Sequence, residues 1–152
     1  MLSSRPLYMF ASALSRSASS KTSGSGSNTA GLCFGGYTTT NLANAEEYNG
    51  TSWAEGNDVN VAKGNARSLG IQTAAILAGG NTGPSTYVAT VESYDGTSWT
   101  EVNDLNVGKS YTGAAGTSTD GLIYGGNSAP GTQLATTEAF DGSSWTEVGD
   151  MA

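Results

Sequence analysis

The side chains that could do chemistry are mostly carboxylates, because the 152 residues include no histidine and a single cysteine, Cys33. Thirteen acidic residues stand against six basic ones, which gives a net charge of −7. Paired carboxylates can act as general acid and base, and clustered carboxylates bind calcium. A disulfide within the chain and the usual zinc sites of cysteine and histidine are excluded. The negative charge also disfavours binding to nucleic acid.

Most of the carboxylates recur at a spacing of 46 residues, which favours a structural role over a catalytic one. Eleven of the thirteen fall into four columns: Glu46, Glu92 and Glu138; Glu55, Glu101 and Glu147; Asp58, Asp104 and Asp150; Asp95 and Asp141. Only Glu47 and Asp120 stand outside them. The run Asp-x-Asp-x-Asp-Gly of a calcium loop is absent. We therefore expect the columns to form turns, caps and ion pairs with Lys63 or Lys109, and we predict no metal or other cofactor.

The same spacing organises the whole chain. Its three tryptophans lie at positions 53, 99 and 145, each in a stretch such as Tyr-Asp-Gly-Thr-Ser-Trp-Thr-Glu at residues 94–101. A fixed period of this length predicts stacked supersecondary units. The pairs Asn49-Gly50, Asp95-Gly96 and Asp141-Gly142 predict tight hairpin turns, because these residues tolerate a positive φ.

Each repeat is expected to contain four strands. Two flank the hairpin turn, and two more precede them, at residues 23–27 and 31–34, at 67–70 and 73–78, and at 112–116 and 121–124. The apolar run at 75–78 predicts a strand covered on both faces, and the small residues at 113–116 indicate a place where sheets converge. Four antiparallel strands in a radial unit are typical of a β-propeller blade, so the predicted fold is all-β.

The middle repeat resembles the kelch repeat in the order of its residues. The matching positions are Gly79-Gly80, Glu92, Tyr94-Asp95, Trp99, Val102, Leu105 and Lys109. The resemblance covers residues 15–152 and implies three kelch-like blades. The sequence of residues 95–106 also resembles repeats in virion proteins of marine bacteriophages and in proteins of environmental bacteria. It reads Asp-Gly-Thr-Ser-Trp-Thr-Glu-Val-Asn-Asp-Leu-Asn.

Three blades are too few to close a ring, since propellers have about four to eight. An open arc leaves apolar faces and strand edges uncovered. We therefore expect two chains to form one six-bladed ring in which the first blade of each chain meets the last blade of the other. Residues 1–14 are either a closing strand or an arm that binds another protein, and the third interpretation is a targeting segment over residues 1–21. No apolar run reaches the length of a membrane span.

Catalysis is not expected. The kelch-type propellers include a copper oxidase family that needs histidine ligands and a tyrosine–cysteine pair, and this chain has no histidine. Cys33 aligns with Leu77 and Ile123 of the other repeats, which indicates a small buried side chain rather than a reactive thiol. The three tryptophans are expected in the core because a large apolar residue recurs at the same position of every repeat.

Binding residues are expected where the repeats differ, because loops on a rigid scaffold are free to vary. The candidate residues lie on one rim of the blades: Tyr37, Asn41, Asn81, Tyr87, Asn127, Gln133, Lys63 and Lys109. Hydroxyl, amide and aromatic groups suit recognition of a glycan or a protein, although these loops could also carry no ligand. The resemblance implies a non-enzymatic attachment module of a phage virion that contacts a host surface or another virion protein. The alternative is a free lectin-like or protein-binding propeller, secreted or on the cell surface of a bacterium.

Overall fold

The computed structural model describes residues 19–152, and this part of the chain contains strands and no helix. The prediction of an all-β fold is confirmed. In chain order the strands are β1 Ser23–Gly26, β2 Gly31–Phe34, β3 Ala45–Tyr48, β4 Trp53–Glu55, β5 Arg67–Ile71, β6 Ala74–Ala78, β7 Asn81–Gly83, β8 Thr86–Tyr87, β9 Val91–Tyr94, β10 Trp99–Val102, β11 Gly113–Gly116, β12 Gly121–Tyr124, β13 Asn127–Ala129, β14 Thr132–Gln133, β15 Thr137–Phe140 and β16 Trp145–Val148.

Twelve of these strands form three antiparallel sheets of four. Sheet I has the order β1-β2-β3-β4, sheet II the order β5-β6-β9-β10, and sheet III the order β11-β12-β15-β16. The predicted strands at 31–34 and 121–124 are confirmed to the residue, and the others agree within one or two residues. The two short hairpins, β7-β8 and β13-β14, were not expected from the sequence.

The predicted hairpins between the last two strands of each sheet are present, but each has four connecting residues and only the glycine of the Asn-Gly or Asp-Gly pair has a positive φ. Gly96 has φ of 92°, which only glycine adopts without strain. The carboxylate of Asp95 accepts hydrogen bonds from the backbone N–H groups of Thr97 and Ser98, both at 2.8 Å. The bonds from Ser98 and then Thr97 hold the pKa of Asp95 below its usual value. This carboxylate is therefore a turn residue, as its column indicated.

The first strands of the three sheets lie next to one another, with β5 in contact with both β1 and β11. The hydroxyl groups of Ser25 and Ser68 share a hydrogen bond, and Nε of Arg67 donates to the carbonyl of Thr112 at 2.6 Å. Small residues are needed in this region. A Cβ atom at position 113 would overlap the ring of Tyr124, so the glycine there allows the side chain of the neighbouring strand to pack.

The apolar core consists of two clusters, one between sheets I and II and one between sheets II and III. Strand β6 supplies both, because Ala75 and Leu77 point into the first cluster while Ile76 and Ala78 point into the second. All four are at most 1% exposed. The expectation of a strand covered on both faces is confirmed, and it explains why this run does not alternate with polar residues.

The tryptophans differ in burial according to the sheet that carries them. Trp99 and Trp145 are each 7% exposed, whereas Trp53 is 51% exposed. Trp99 packs edge-on against Phe34 of sheet I at 4.8 Å between ring centroids, and its Nε1 donates to the carbonyl of Asn57 at 3.0 Å. The expectation that all three are core residues is wrong for Trp53, because in the described chain no sheet precedes sheet I to supply the same cover.

Candidate binding site on the rim of the sheets

One rim of the molecule is built by two kinds of connection: those that follow the second strand of each sheet and those that link one sheet to the next. Gly64 and Asn81 exchange backbone hydrogen bonds of 3.0 and 2.9 Å across this rim. Ser110 and Asn127 repeat the arrangement at 3.0 and 2.9 Å. The backbone thus fixes the positions of loops whose side chains differ from repeat to repeat.

A groove of about 490 Å³ lies on this rim between sheets I and II. Its volume is within the range of small-molecule sites, about 300–1,000 Å³. The lining contains one cation and no carboxylate: Lys21, Tyr37, Thr39, Thr40, Asn41, Asn81, Thr82, Gly83 and Pro84. In a chain with a net charge of −7, a lining without acidic groups is a local departure from the general surface.

The polar groups of the groove have two roles. Asn41 donates from Nδ2 to the carbonyl of Asn81 at 2.8 Å, and Asn65 donates from Nδ2 to Oδ1 of Asn81 at 2.7 Å. The Asn41 amide therefore ties sheet I to the β7-β8 hairpin of sheet II, and the Asn65 amide orients Asn81 within the repeat of sheet II. Lys21 places its ammonium 4.5 Å from the ring centroid of Tyr37, a cation–π contact that holds the ring in place at the wall.

The predicted binding residues fall into separate groups. Tyr37, Asn41 and Asn81 line the groove together. Tyr87 lies half-buried on β8, opposite Asn81 in the hairpin. Of the remaining four, Asn127 and Gln133 face each other in the hairpin β13-β14, which contacts β8, and the two lysines are buried. The structure thus joins three of the predicted residues in one cavity and places three others in the two hairpins beside it.

Lys63 and Lys109 do not belong to this surface, and their assignment to it is corrected here. Lys63 lies 3.2 Å from Oε1 of Glu92, with neither side chain exposed. Lys109 lies 2.6 Å from Oε1 of Glu138, with side chains 0% and 1% exposed. Burial lowers the pKa of Lys63, although Glu92 acts in the opposite direction. Both lysines sit beneath the rim, where a ligand on the surface does not reach them.

Lys21 is the groove residue that the sequence did not predict. It belongs to a column with Asn65 and Tyr111, and all three have a positive φ, at 60°, 54° and 59°. Their backbones are joined in series, since the N–H of Asn65 donates to the carbonyl of Lys21 and the N–H of Tyr111 to that of Asn65, both at 3.2 Å. The signal in the sequence is a position that holds a different, larger side chain in each repeat, between neighbours that are small in all three.

The two carboxylates outside the columns have structural surroundings. Asp120 ends the turn between β11 and β12, and its N–H bonds to the hydroxyl of Thr117 at 3.1 Å. Glu47 accepts a hydrogen bond from the hydroxyl of Tyr94 on the next sheet. One repeat further on, these two positions are Ser93 and Phe140, so the acceptor and the donor are lost together. Glu47 is thus explained by packing between sheets.

Replacing Tyr94 with phenylalanine should lower the free energy of unfolding by about 0.5–1.5 kcal/mol, the net value of a typical hydrogen bond. Burial and then Glu47 raise the pKa of this phenol above its usual range, so it remains a donor up to alkaline pH. Urea unfolding of Tyr94→Phe, Glu47→Ala and the double variant checks the pair, because alanine removes the acceptor. The double variant should lose less than the sum of the single losses, and strict additivity would contradict the contact.

Within residues 19–152, no cluster of three or more histidine, cysteine, aspartate or glutamate side chains is arranged to hold a metal ion. No helix of the described chain is long and apolar enough to cross a membrane. No protein-family model matches the sequence, and no curated protein matches it either. The rim geometry and the internal repeat are therefore what support a function.

Proposed function

We propose that the three sheets are kelch-like propeller blades and that the protein is a non-enzymatic attachment module of a bacteriophage virion. The observation that carries the binding role is the groove lined by Lys21, Tyr37 and Asn41, because it lies on the rim where the repeats differ. Supporting the blade assignment are the four-stranded sheets and the contacts among their first strands. The virion assignment is supported by the resemblance of residues 95–106 to phage repeats.

A glycan of the host surface is the ligand that best fits the groove. The hydroxyl groups of Thr39, Thr40 and Thr82 can exchange hydrogen bonds with sugar hydroxyls, and the ring of Tyr37 offers an apolar face to a pyranose. The ammonium of Lys21, with no carboxylate in the lining, favours sugars that carry an acidic group. Another virion protein is the second class of partner for the same rim.

We expect Tyr37→Ala to weaken binding to an immobilised glycan by about tenfold or more, which corresponds to about 1.4 kcal/mol. A glycan array with neutral and acidic sugars identifies the ligand, and titration then gives the dissociation constant. Tyr111→Ala is the matched control, because Tyr111 is an exposed tyrosine outside the lining of the groove. If no sugar binds, or if both variants bind like the wild type, the glycan site is refuted.

Association with particles tests the virion role separately. Antibody against the protein should detect it in purified phage particles that have been washed free of host protein. Detection only in the culture medium or on the bacterial surface, combined with glycan binding, would favour the alternative of a free lectin-like or protein-binding propeller.

The ring that blades require is proposed to contain a second copy of the chain. Three blades lie below the range of about four to eight that close a propeller. In solution, two copies would give twice the 15.3 kDa of one chain, which light scattering measures directly.

A further inference from the structure

The two interfaces between sheets are built from the same contacts, one repeat apart. Asn60 donates from Nδ2 to the carbonyl of Trp99 at 3.1 Å, and Asn106 does the same to Trp145 at 3.2 Å. The backbone N–H of Asn60 donates to Glu92 at 2.6 Å, and that of Asn106 to Glu138 at 2.7 Å. In both interfaces, one side is the sheet face that carries the tryptophan, which we call the tryptophan face. The other side is the segment that follows the preceding sheet.

Within residues 19–152, each outer sheet face carries one half of this interface, and no described sheet supplies the other half. On sheet I, Trp53 is 51% exposed, against 7% for its equivalents. On sheet III, Met151 occupies the position of Val59 and Leu105, because its N–H bonds to the carbonyl of Ala135 as theirs bond to Ala43 and Ala89. Met151 is 45% exposed, whereas Val59 and Leu105 are 3% and 4% exposed.

A second position on sheet III shows the same difference. Leu122 is 39% exposed, whereas the equivalent residues Leu32 and Ile76 are 2% and 1% exposed. In sheets I and II these residues are covered by the tryptophan face of the next sheet. Sheet III therefore presents an apolar surface of the kind that a tryptophan face buries twice within the chain.

We infer that two copies of the chain pack head to tail. The outer face of sheet I, which carries Trp53, contacts the outer face of sheet III of the second copy, which carries Met151, in the same way as sheet II contacts sheet I within one chain. This inference rests on the proposed ring and specifies how it is completed. Each of two chains then contributes one face of each kind, and the pairing occurs twice about a two-fold axis. Burial of exposed apolar surface is the driving force.

The backbone hydrogen-bond series of Lys21, Asn65 and Tyr111 gives the direction of the contact independently. Asn65 donates to Lys21, and Tyr111 donates to Asn65, so each residue donates to the carbonyl of the preceding repeat. The next bond in the series runs from the N–H of Lys21 in the second copy to the carbonyl of Tyr111. A head-to-head arrangement does not continue this series, because it would bring two Lys21 positions together.

Chemical cross-linking tests the pairing, because the repeat says which residues must meet. Asn57 donates to the carbonyl of Thr97 at 2.7 Å, and Asn103 to that of Ser143 at 2.9 Å. The equivalent of Asn57 and Asn103 one repeat later is Gly149, and the equivalent of Thr97 one repeat earlier is Thr51. Gly149 should therefore meet Thr51 of the second copy, and both positions are exposed. With Cys33→Ala as background, Thr51→Cys mixed with Gly149→Cys should give a cross-linked dimer with a short bis-maleimide.

Each cysteine variant alone serves as the control for orientation. Neither should cross-link alone if the contact is head to tail, and a dimer formed by Thr51→Cys alone would show a head-to-head contact and overturn the inference. Asn57→Cys combined with Thr97→Cys should cross-link within one chain, which verifies that the reagent spans the repeated interface.

Light scattering of charge variants gives a second readout that does not depend on the reagent. Trp53→Glu should halve the particle mass, whereas Ile71→Glu should leave it unchanged, because Ile71 is 59% exposed on sheet II and lies away from both outer faces. A monomeric wild type with Trp53 protected from acrylamide quenching would mean that residues 1–18 cover this face, and would overturn the inference. Glycan binding that still depends on Tyr37 would then leave the groove function standing.

Discussion

Replacing Trp99 with alanine should lower the free energy of unfolding by about 3–5 kcal/mol, the cost of removing a buried aromatic side chain and leaving a cavity. Trp99 is 7% exposed and bridges sheets I and II through Phe34 and the carbonyl of Asn57. Denaturant unfolding monitored by circular dichroism measures the loss. We expect the midpoint to shift while any folded population keeps its strand content.

The chain supplies its own control for this variant. Trp53→Ala removes the same side chain from the equivalent position of sheet I, where half of it is exposed. At protein concentrations at which light scattering shows a monomer, its cost should be well below that of Trp99→Ala. Equal losses for the two variants would contradict the difference in burial, and a negligible loss for Trp99→Ala would contradict the packing of sheet I on sheet II.

The sequence predicted the strands well because each depends on short-range signals. Asp95-Gly96 specifies a hairpin because the Asp95 carboxylate accepts hydrogen bonds from the backbone N–H groups of Thr97 and Ser98. The lack of polar residues at 74–78 predicts a strand covered on both faces. The hairpins β7-β8 and β13-β14 were missed because their strands have only two or three residues. So short a strand carries no periodicity to detect.

The candidate site was predicted less completely because its residues depend on contacts between sheets. The position of Lys63 in a connecting segment predicts a place on the rim, but its side chain is buried because it pairs with Glu92 on the neighbouring sheet. Lys21 is missing from the predicted site because it lies at the end of residues 1–21, whose composition also fits a targeting segment. Trp53 shows the converse error, since recurrence predicts burial only where a neighbouring sheet is present.

Breaking the buried ion pair of Lys63 and Glu92 should cost about 3–5 kcal/mol, because either single replacement leaves an uncompensated charge in the interior. Glu92→Gln leaves the ammonium of Lys63 with the carbonyl and hydroxyl of Thr90 as partners, at 3.2 and 3.1 Å. Lys63→Met leaves the carboxylate with the backbone N–H groups of Asn60 and Val61. Urea unfolding at neutral pH measures both losses.

The double variant Lys63→Met/Glu92→Gln separates the charge from the hydrogen bonds. It removes both charges while the amide oxygen of the glutamine can still accept from Asn60, so it should lose less than the sum of the single variants. Glu101→Gln is a control at an exposed carboxylate and should change stability by less than about 0.5 kcal/mol. Additive losses at positions 63 and 92 would contradict direct pairing.

The position of this ion pair explains why a carboxylate is retained where an apolar side chain could pack. Glu92 accepts from two consecutive backbone N–H groups of the segment that leaves sheet I, at 2.6 and 3.2 Å, while Lys63 from the same segment supplies the opposite charge. An apolar residue would leave both part-buried N–H groups without their acceptor. The pair therefore sets the position of one sheet against the next. We expect Glu92→Leu, which loses the acceptor and the charge together, to be at least as destabilising as Glu92→Gln; greater stability for the leucine variant would refute this role.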